Sequence, residues 1–339
     1  MQGSKPRDWG AEALWQQLEP LLPGLSVEVV ARTDSTNTRL IERARATSGR
    51  RDGPVTRPGA LDAIDEPRTP HGRRLGDASP CLLVAEQQTR GRGRLGRDWQ
   101  SSPGASLTFS LSLPLAPADW SGLSLVVGVA LAEALDAPVC APFDATLDAT
   151  VDATVDAPVS SVVSVPAPLP RIGLKWPNDL WLLESPGRGR KLGGVLIETV
   201  AVGQRRLCVV GIGLNVLPQP TQELSSGYAC LQEIDPLAAA PLALATLALP
   251  LVRALLRFER EGFAPFAAAF ARRDLLIGQP VSTTMAEVPE GVAEGVDERG
   301  ALRVRAGSLH ALVSGEVSVR LQIAPPPADM PDVPREAPC

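Results

Sequence analysis

Trp9, Ala13, Leu14, Leu18, Leu21 and Leu22 recur at helical spacing, and Pro23-Gly24 ends the pattern. Residues 27–30 (Val-Glu-Val-Val) read as a strand. Asp34-Ser35-Thr36-Asn37 then precede Leu40, Ile41 and Ala44 at helical spacing, with Asp34 or Ser35 as the N-cap. Residues 82–85 form a short apolar run, a buried strand that leads into a glycine- and arginine-rich segment. Leu107, Phe109, Leu111 and Leu113 alternate with Thr108, Ser110 and Ser112, which predicts a half-buried strand. Residues 122–135 predict an apolar helix packed on a sheet. Three strand-like segments follow, 172–176, 191–200 and 207–216, separated by turn-rich pieces such as 184–190, as in an antiparallel meander. Residues 251–270 read as helical, with Leu251, Leu255, Phe258 and Phe266 on the apolar side and Pro265 as a candidate kink. Beyond Gly278, Leu302 and Val304 alternate with Arg303 and Arg305, and Val317, Val319 and Leu321 with Ser318 and Arg320. Short strands and glycine turns over that stretch predict a small β-barrel. The class is α/β: a strand-rich core with helices, then a barrel.

Two stretches break these patterns. Residues 49–79 hold Gly, Pro, Arg and Asp with few large apolar side chains, a surface insertion. Residues 137–170 repeat an Asp-Ala-Thr/Pro unit, with Asp144, Asp148, Asp152 and Asp156 in register among many prolines. No packing repeat has that period, so a disordered inserted loop is expected. These stretches explain the 33 prolines in a chain of 339 residues whose apolar share, 44%, is ordinary for a globular protein.

Charge and rare residues narrow the chemistry. The net charge of −5 argues against a nucleic-acid-binding protein. Five scattered cysteines with no Cys-x-x-Cys pair fit a reducing, cytoplasmic setting. No secretory signal pattern opens the sequence, and the apolar run 237–252 is interrupted by Pro241 and Pro250, so no membrane association is expected. His71, in a Pro/Arg-rich stretch, reads as solvated, and His310 as structural. With only those two histidines, a Ser-His-Asp triad or a His-based zinc site is improbable.

Four segments carry candidate chemistry. Gly91-Arg92-Gly93-Arg94-Leu95-Gly96-Arg97 matches the dinucleotide fingerprint in its letters, but Asp98-Trp99 and a loop-like run follow where the fingerprint needs a helix. Alternating Gly and Arg instead suits close backbone approach to a polyanion and bidentate guanidinium contacts, or else a solvated basic turn. Lys175-Trp176-Pro177-Asn178-Asp179, with Lys191-Leu192-Gly193-Gly194 after it, offers two cations and a carboxylate able to bind Mg²⁺, or else a hairpin turn. Ser35-Thr36-Asn37 is a polar clamp or a helix cap. Gly211-Ile212-Gly213-Leu214-Asn215 is a strand whose glycines leave room for a ligand, or a bulged core strand.

In their order, Ser-Thr-Asn, Gln-x-x-Gly-Arg-Gly-Arg-x-Gly-Arg-x-Trp, Lys-Trp-Pro-Asn-Asp, Lys-Leu-Gly-Gly and Gly-Ile-Gly-Leu-Asn-Val resemble biotin protein ligase. The resemblance implies a mixed-sheet catalytic domain related to class II aminoacyl-tRNA synthetases and a C-terminal SH3-like β-barrel. Together with the patterns above it divides the chain into an N-terminal helix at 1–26, the catalytic domain at 27–273, the barrel at 274–323 and a disordered tail at 324–339, and the insertions at 49–79 and 137–170 are not part of the family pattern. It implies activation of biotin by ATP and Mg²⁺ to biotinyl-5′-AMP, then transfer to a lysine of the biotin carboxyl carrier protein of acetyl-CoA carboxylase. Neither step needs a histidine or an enzyme nucleophile. Carried over residue by residue, Ser35, Thr36, Asn37 and Gln88 belong to biotin, as do Gly91, Gly194 and Gly211. Arg92 and Arg94 meet the carboxylate and phosphate, and Lys191 is the essential cation between them. Trp99 covers adenine, Asn178 and Asn215 contact adenine or the metal–phosphate region, and Arg320 reaches the nucleotide from the barrel. Asp179 serves either the metal or the turn. About 27 residues precede the first catalytic strand, fewer than the winged helix some members carry, so no DNA binding and no repressor role are expected. The expected enzyme is a monomer or weak homodimer. The competing readings are a lipoate or octanoate ligase on the same fold and a nucleic-acid binder using the Arg-Gly loop.

Overall fold

The computed structural model describes residues 7–48, 71–72, 78–136, 170–185, 187–219, 226–313 and 319–321. Nearly all of the 49–79 stretch, residues 137–169 and the 324–339 tail lie outside the described residues.

A seven-stranded mixed sheet organises the larger part of the chain. Its strands are β1 (Ser26–Thr33), β2 (Cys81–Gln88), β5 (Ser106–Pro114), β6 (Ile172–Lys175), β7 (Asp179–Ser185), β8 (Arg188–Val202) and β9 (Arg205–Asn215), in the order β1-β2-β5-β9-β8-β7-β6. Only β1 and β2 run parallel; every other pair is antiparallel. The two short strands β3 (Gly91–Arg92) and β4 (Asp98–Trp99) pair with each other as a separate hairpin.

Period-two alternation sorts the sheet's side chains onto two faces. Leu82, Val84, Leu107, Phe109 and Leu111 join a large core on one face. There they meet α1 (Ala11–Leu18), α3 (Leu123–Leu135) and α4 (Ala240–Glu261). Cys81, Leu83, Ala85 and Val209 join a smaller core on the other face, with Leu40, Ile41 and Ala44 of α2 (Thr36–Ser48). The mixed sheet of the expected class is therefore present, with two departures. The half-buried strand at 107–113 is buried on both faces, because α2 and the pocket floor cover its Ser/Thr side. The meander has one strand more than the sequence pattern indicated: β7 fills the space between β6 and β8, and the turn is confined to its end near Gly187.

The apolar run 237–252 is not broken by its prolines. Pro241 stands in the first turn of α4, where its missing N–H costs nothing, and Pro250 lies inside the 22-residue helix. That helix is long and apolar enough to cross a membrane by length and composition, but one flank packs on α3 and the sheet core. The helical stretch to 270 is interrupted at Gly262 (φ 68°), and only α5 (Ala267–Ala271) resumes it. His71 is half-buried and bridges backbone to backbone with Val27, so it is not the solvated residue its composition suggested.

The C-terminal part is a five-stranded antiparallel sheet of β10 (Pro280–Thr283), β11 (Glu290–Val296), β12 (Leu302–Ala306), β13 (Ser308–Leu312) and β14 (Val319–Leu321), in the order β13-β12-β11-β10-β14. It seats on the larger part through named contacts. Trp176 Nε1 donates to Gly300 O (3.1 Å), Arg299 pairs with Asp119 (2.7 Å), and Leu174 bridges to Asp274.

Candidate active site

The pocket floor starts from the alternation of β5. Turning Leu107, Phe109 and Leu111 into the core turns Ser110 toward the first residues of α2. Ser110 Oγ lies 2.6 Å from Thr36 Oγ1 and donates to Asn37 Oδ1 (2.6 Å). Thr36 donates both its N–H (2.8 Å) and its hydroxyl (3.1 Å) to Gln88 Oε1 at the end of β2. Asn37 Nδ2 donates to Glu198 Oε2 (2.9 Å) and Leu196 O (3.2 Å) on β8. Ser35, Thr36 and Asn37 are all buried, and Ser35 Oγ accepts weakly from Thr38 N–H (3.4 Å). These residues thus open α2 and join it to β2, β5 and β8. Gly211 lies directly beneath Asn37, and a β-carbon there would collide with the amide oxygen.

The glycine-arginine segment is a tight hairpin above this floor. Gly91 pairs with Trp99 and Arg92 with Asp98, and Gly93 N–H donates to Arg97 O (2.6 Å). Leu95 stands exposed at the tip with φ 55°, an uncommon conformation for a residue with a side chain. Only a single 3₁₀ turn, Arg94–Gly96, lies here, and the strand Asp98–Trp99 follows where the dinucleotide fingerprint needs an α-helix. Arg92 donates from Nη2 to both oxygens of Glu198 (2.9 and 3.0 Å). Trp99 lays its ring over Gly213, where a β-carbon would strike the indole, and its Nε1 is buried without a hydrogen-bond partner.

Beside Trp99 lies a cluster of cations around one carboxylate. Lys191 Nζ pairs with Asp179 Oδ1 (2.8 Å) and sits 6.0 Å from the Trp99 ring centre. Lys175 Nζ stands 5.3 Å over the Trp181 ring. Burial pushes the Lys175 ammonium below the usual lysine value; Asp179 opposes the shift, and the charges of Lys191, Arg97 and Arg320 add to it. Burial likewise lowers the Arg94 guanidinium, again opposed by Asp179. Arg94 Nη1 lies 3.5 Å from Asn178 Oδ1, a long contact, while Asn178 Nδ2 donates to Val195 O (2.7 Å). Gly194 pairs with Asp179 across β7 and β8, and a β-carbon there would stand 3.3 Å from the Asp179 carboxylate. Cations desolvated around a single acid form a site electrostatically short of negative charge.

The structure thus brings the candidates together in two adjoining groups. Ser35, Thr36, Asn37, Gln88, Gly91, Arg92 and Gly211 surround the floor. Arg94, Trp99, Asn178, Asp179, Lys191 and Gly194 surround the cation cluster, with Arg320 near enough for its charge to reach Lys175. Two candidates do other work here. Asn215 is buried, and its Nδ2 donates to Ala229 O (2.9 Å) and Lys191 O (3.3 Å), so it ties the 228–230 segment to β8. Asp179 is engaged by Lys191, and among the described residues no group of three His, Cys, Asp or Glu forms a metal cage.

Two residues of these networks stand outside the motifs. Ser110 was visible only as a polar position in an alternating strand. Glu198 has no local signal, since its partners lie 106 and 161 residues away.

Residues 75–215 match the model of the biotin/lipoate A/B protein ligase family, and residues 276–320 match the biotin protein ligase C-terminal domain. The bifunctional ligase/repressor BirA of Salmonella typhimurium is 32% identical over 77% of this chain and 70% of its own. Its namesake from Escherichia coli K12 is 31% identical, covering 93% and 85%. The biotin–[acetyl-CoA-carboxylase] ligase of Mycobacterium tuberculosis is 28% identical over 92% of both chains. Among solved structures, biotin protein ligase from Aquifex aeolicus in complex with biotin and ATP shares the fold, with a TM-score of 0.58 at 24% identity over 87% of this chain and 99% of that one. With the motif residues drawn into two adjoining groups and relatives this similar along most of their length, the chain belongs to the biotin protein ligase family.

Proposed function

We propose that this protein is an ATP-dependent biotin protein ligase that forms biotinyl-5′-AMP and passes biotin to a lysine of the biotin carboxyl carrier protein of acetyl-CoA carboxylase. The observation that carries this reading is the Lys191–Asp179 pair, with Lys175 opposite Asp179 across β6 and β7 and Arg94 against Asn178, beside the polar floor. Adenylation joins two anions, a carboxylate and the α-phosphate of ATP. The groups it needs are fixed positive charges, already desolvated and aimed at the developing charge.

The chemistry follows from that arrangement. The hydroxyls and amides of Ser35, Thr36, Asn37 and Gln88 suit the neutral, donor- and acceptor-rich ureido ring. Held there, the biotin carboxylate is oriented for in-line attack on the α-phosphorus, with pyrophosphate leaving. Lys191 neutralises the two anions as they meet, Arg94 and Lys175 take the phosphates, and Trp99 offers its face to adenine. The acceptor lysine then attacks the mixed anhydride and releases AMP. No step requires a side-chain nucleophile. Magnesium would enter as part of MgATP, and with no cage of three acidic, His or Cys groups among the described residues, Asp179 is the carboxylate that would hold it and help neutralise the phosphates.

The name of the M. tuberculosis relative supports the choice of acceptor. Buried cysteines at 81, 208 and 230, none in a disulfide, accord with a cytoplasmic setting, and the acidic net charge with the absence of a DNA-binding role. Incubation with biotin, MgATP and a carrier domain tests the reading. Carrier labelling with one pyrophosphate per biotin is expected, and lipoate is expected not to compete. Labelling by lipoate alone would move the protein to the neighbouring ligase class, and tight specific operator binding in a gel shift would restore a repressor role.

A further inference from the structure

Gln88, Thr36, Ser110, Asn37, Glu198 and Arg92 form one continuous chain of polar contacts across the pocket floor. The links are 2.8 Å (Thr36 N–H to Gln88), 2.6 Å (Thr36 to Ser110), 2.6 Å (Ser110 to Asn37), 2.9 Å (Asn37 to Glu198) and 2.9 Å (Arg92 to Glu198). Its ends flank the base of the glycine-arginine hairpin: Gln88 closes β2 just before it, and Arg92 lies inside it. Glu198 is the member that joins the buried floor to the hairpin's guanidinium. It accepts from Arg92 with both oxygens while one of them also accepts from Asn37.

We propose that Glu198 is the positioning residue that holds Arg92, and through it the 91–99 hairpin, over the biotin floor. The proposal rests on the biotin ligase reading, since it assigns a role within that site. Its physical basis is geometric. A hairpin containing Gly91, Gly93 and Gly96 has little backbone preference of its own, and its tip is exposed at Leu95. A charge-assisted contact to both carboxylate oxygens fixes where Arg92 lies relative to β8, the strand that also carries Lys191 and Gly194. Because Asn37 shares the carboxylate, a ligand that draws on the Asn37 amide alters the grip on Arg92. Occupancy of the floor and placement of the hairpin are coupled by this one side chain.

The test uses the full chain and its Glu198→Gln, Glu198→Ala, Arg92→Ala and Glu198→Ala/Arg92→Ala variants, with Glu294→Gln as a control on the barrel surface. Biotin-dependent pyrophosphate exchange gives KM for biotin and for ATP, and a second assay follows release of free biotinyl-5′-AMP. Because the pair is partly exposed, Glu198→Ala is expected to raise KM for biotin and the leak of adenylate by about tenfold, with KM for ATP little changed. Glu198→Gln keeps an oxygen for Asn37 but loses the charge that holds Arg92, so its leak is expected to match Glu198→Ala. The double variant is expected to be no worse than either single one. Wild-type release from Glu198→Gln, or additive effects in the double variant, overturns the proposal. A wild-type protein without biotin-dependent exchange instead defeats the ligase reading itself. If Glu198→Ala fails to fold, Glu198→Gln with an unchanged melting temperature decides the question alone.

Discussion

Lys191 pairs with Asp179 from β8 and Lys175 stands opposite Asp179 on β6, and their surroundings give them different expected behaviour. Lys191 is tied directly to Asp179 and lies beside the Trp99 ring, where the two anions would meet. Lys191→Ala is therefore expected to lower kcat for biotin-dependent pyrophosphate exchange by about 10²–10³-fold, the loss typical of one preorganised charge-stabilising group. A variant retaining full exchange would remove Lys191 from the mechanism. Lys175 is held down by burial, so its positive charge is lost as pH rises, earlier than that of an ordinary lysine. In consequence kcat/KM for ATP should fall on the alkaline side before the usual lysine range, and Lys175→Arg should move that limb upward. An identical alkaline limb in both proteins would refute this. At this scale the motif residues could be read from the sequence, because Gly, Arg, Lys and Asn at fixed spacings announce close approach and charge. Glu198 could not, because its meaning depends on partners more than 100 residues away.

Elements decide how those residues meet. The Ser/Thr face of β5 read as a solvent face, since alternation alone distinguishes two sides and not what covers them. Here α2 covers that side, and Ser110 becomes part of the floor. β7 was missed because its sequence, Asp-Leu-Trp-Leu-Leu-Glu-Ser, lacks alternation and runs into a glycine-rich turn. The glycines of β9 were legible as open space, and the structure specifies what fills it: Gly211 admits the Asn37 amide and Gly213 the Trp99 ring. Gly213→Ala should displace Trp99 while leaving the strand's pairing with β5 and β8 intact. If Trp99 covers adenine, the variant should raise KM for ATP about tenfold, the scale of one base–aromatic stack, with KM for biotin and the melting temperature little changed. Kinetics against each substrate, beside a thermal melt, check this, and an unchanged KM for ATP would separate Trp99 from the nucleotide.

The barrel is coupled to the catalytic sheet along a joint whose ends were visible in the sequence but whose contacts were not. Gly300 (φ 82°) packs against Gly122, where a β-carbon would come 2.8 Å from the Gly122 Cα, and its carbonyl accepts from Trp176. Gly300→Ala combines a strained φ with that collision, so it is expected to cost about 1–3 kcal/mol and lower the melting temperature by several degrees. At the other end Asp274 bridges to Leu174, and its Oδ2 is buried without a hydrogen-bond partner. Burial pushes this carboxyl up to about 6, against the lowering effect of N–H bonds from Leu276 and Ile277. A carboxyl whose folded value lies above its unfolded one stabilises the fold fully below the unfolded value, near 3.8, and that contribution is lost as pH rises through about 6. Above that pH the joint carries an ionised, desolvated carboxylate. Asp274→Asn keeps an oxygen for the two N–H groups and cannot ionise. It should therefore melt close to wild type near pH 3.5, gain on wild type as pH rises from about 4 to 6, and keep a constant lead above about pH 7. Melting curves of both proteins from about pH 3.5 to 7.5 measure the effect, and a difference that does not change between about pH 4 and 6 would show that Asp274 does not titrate at the joint.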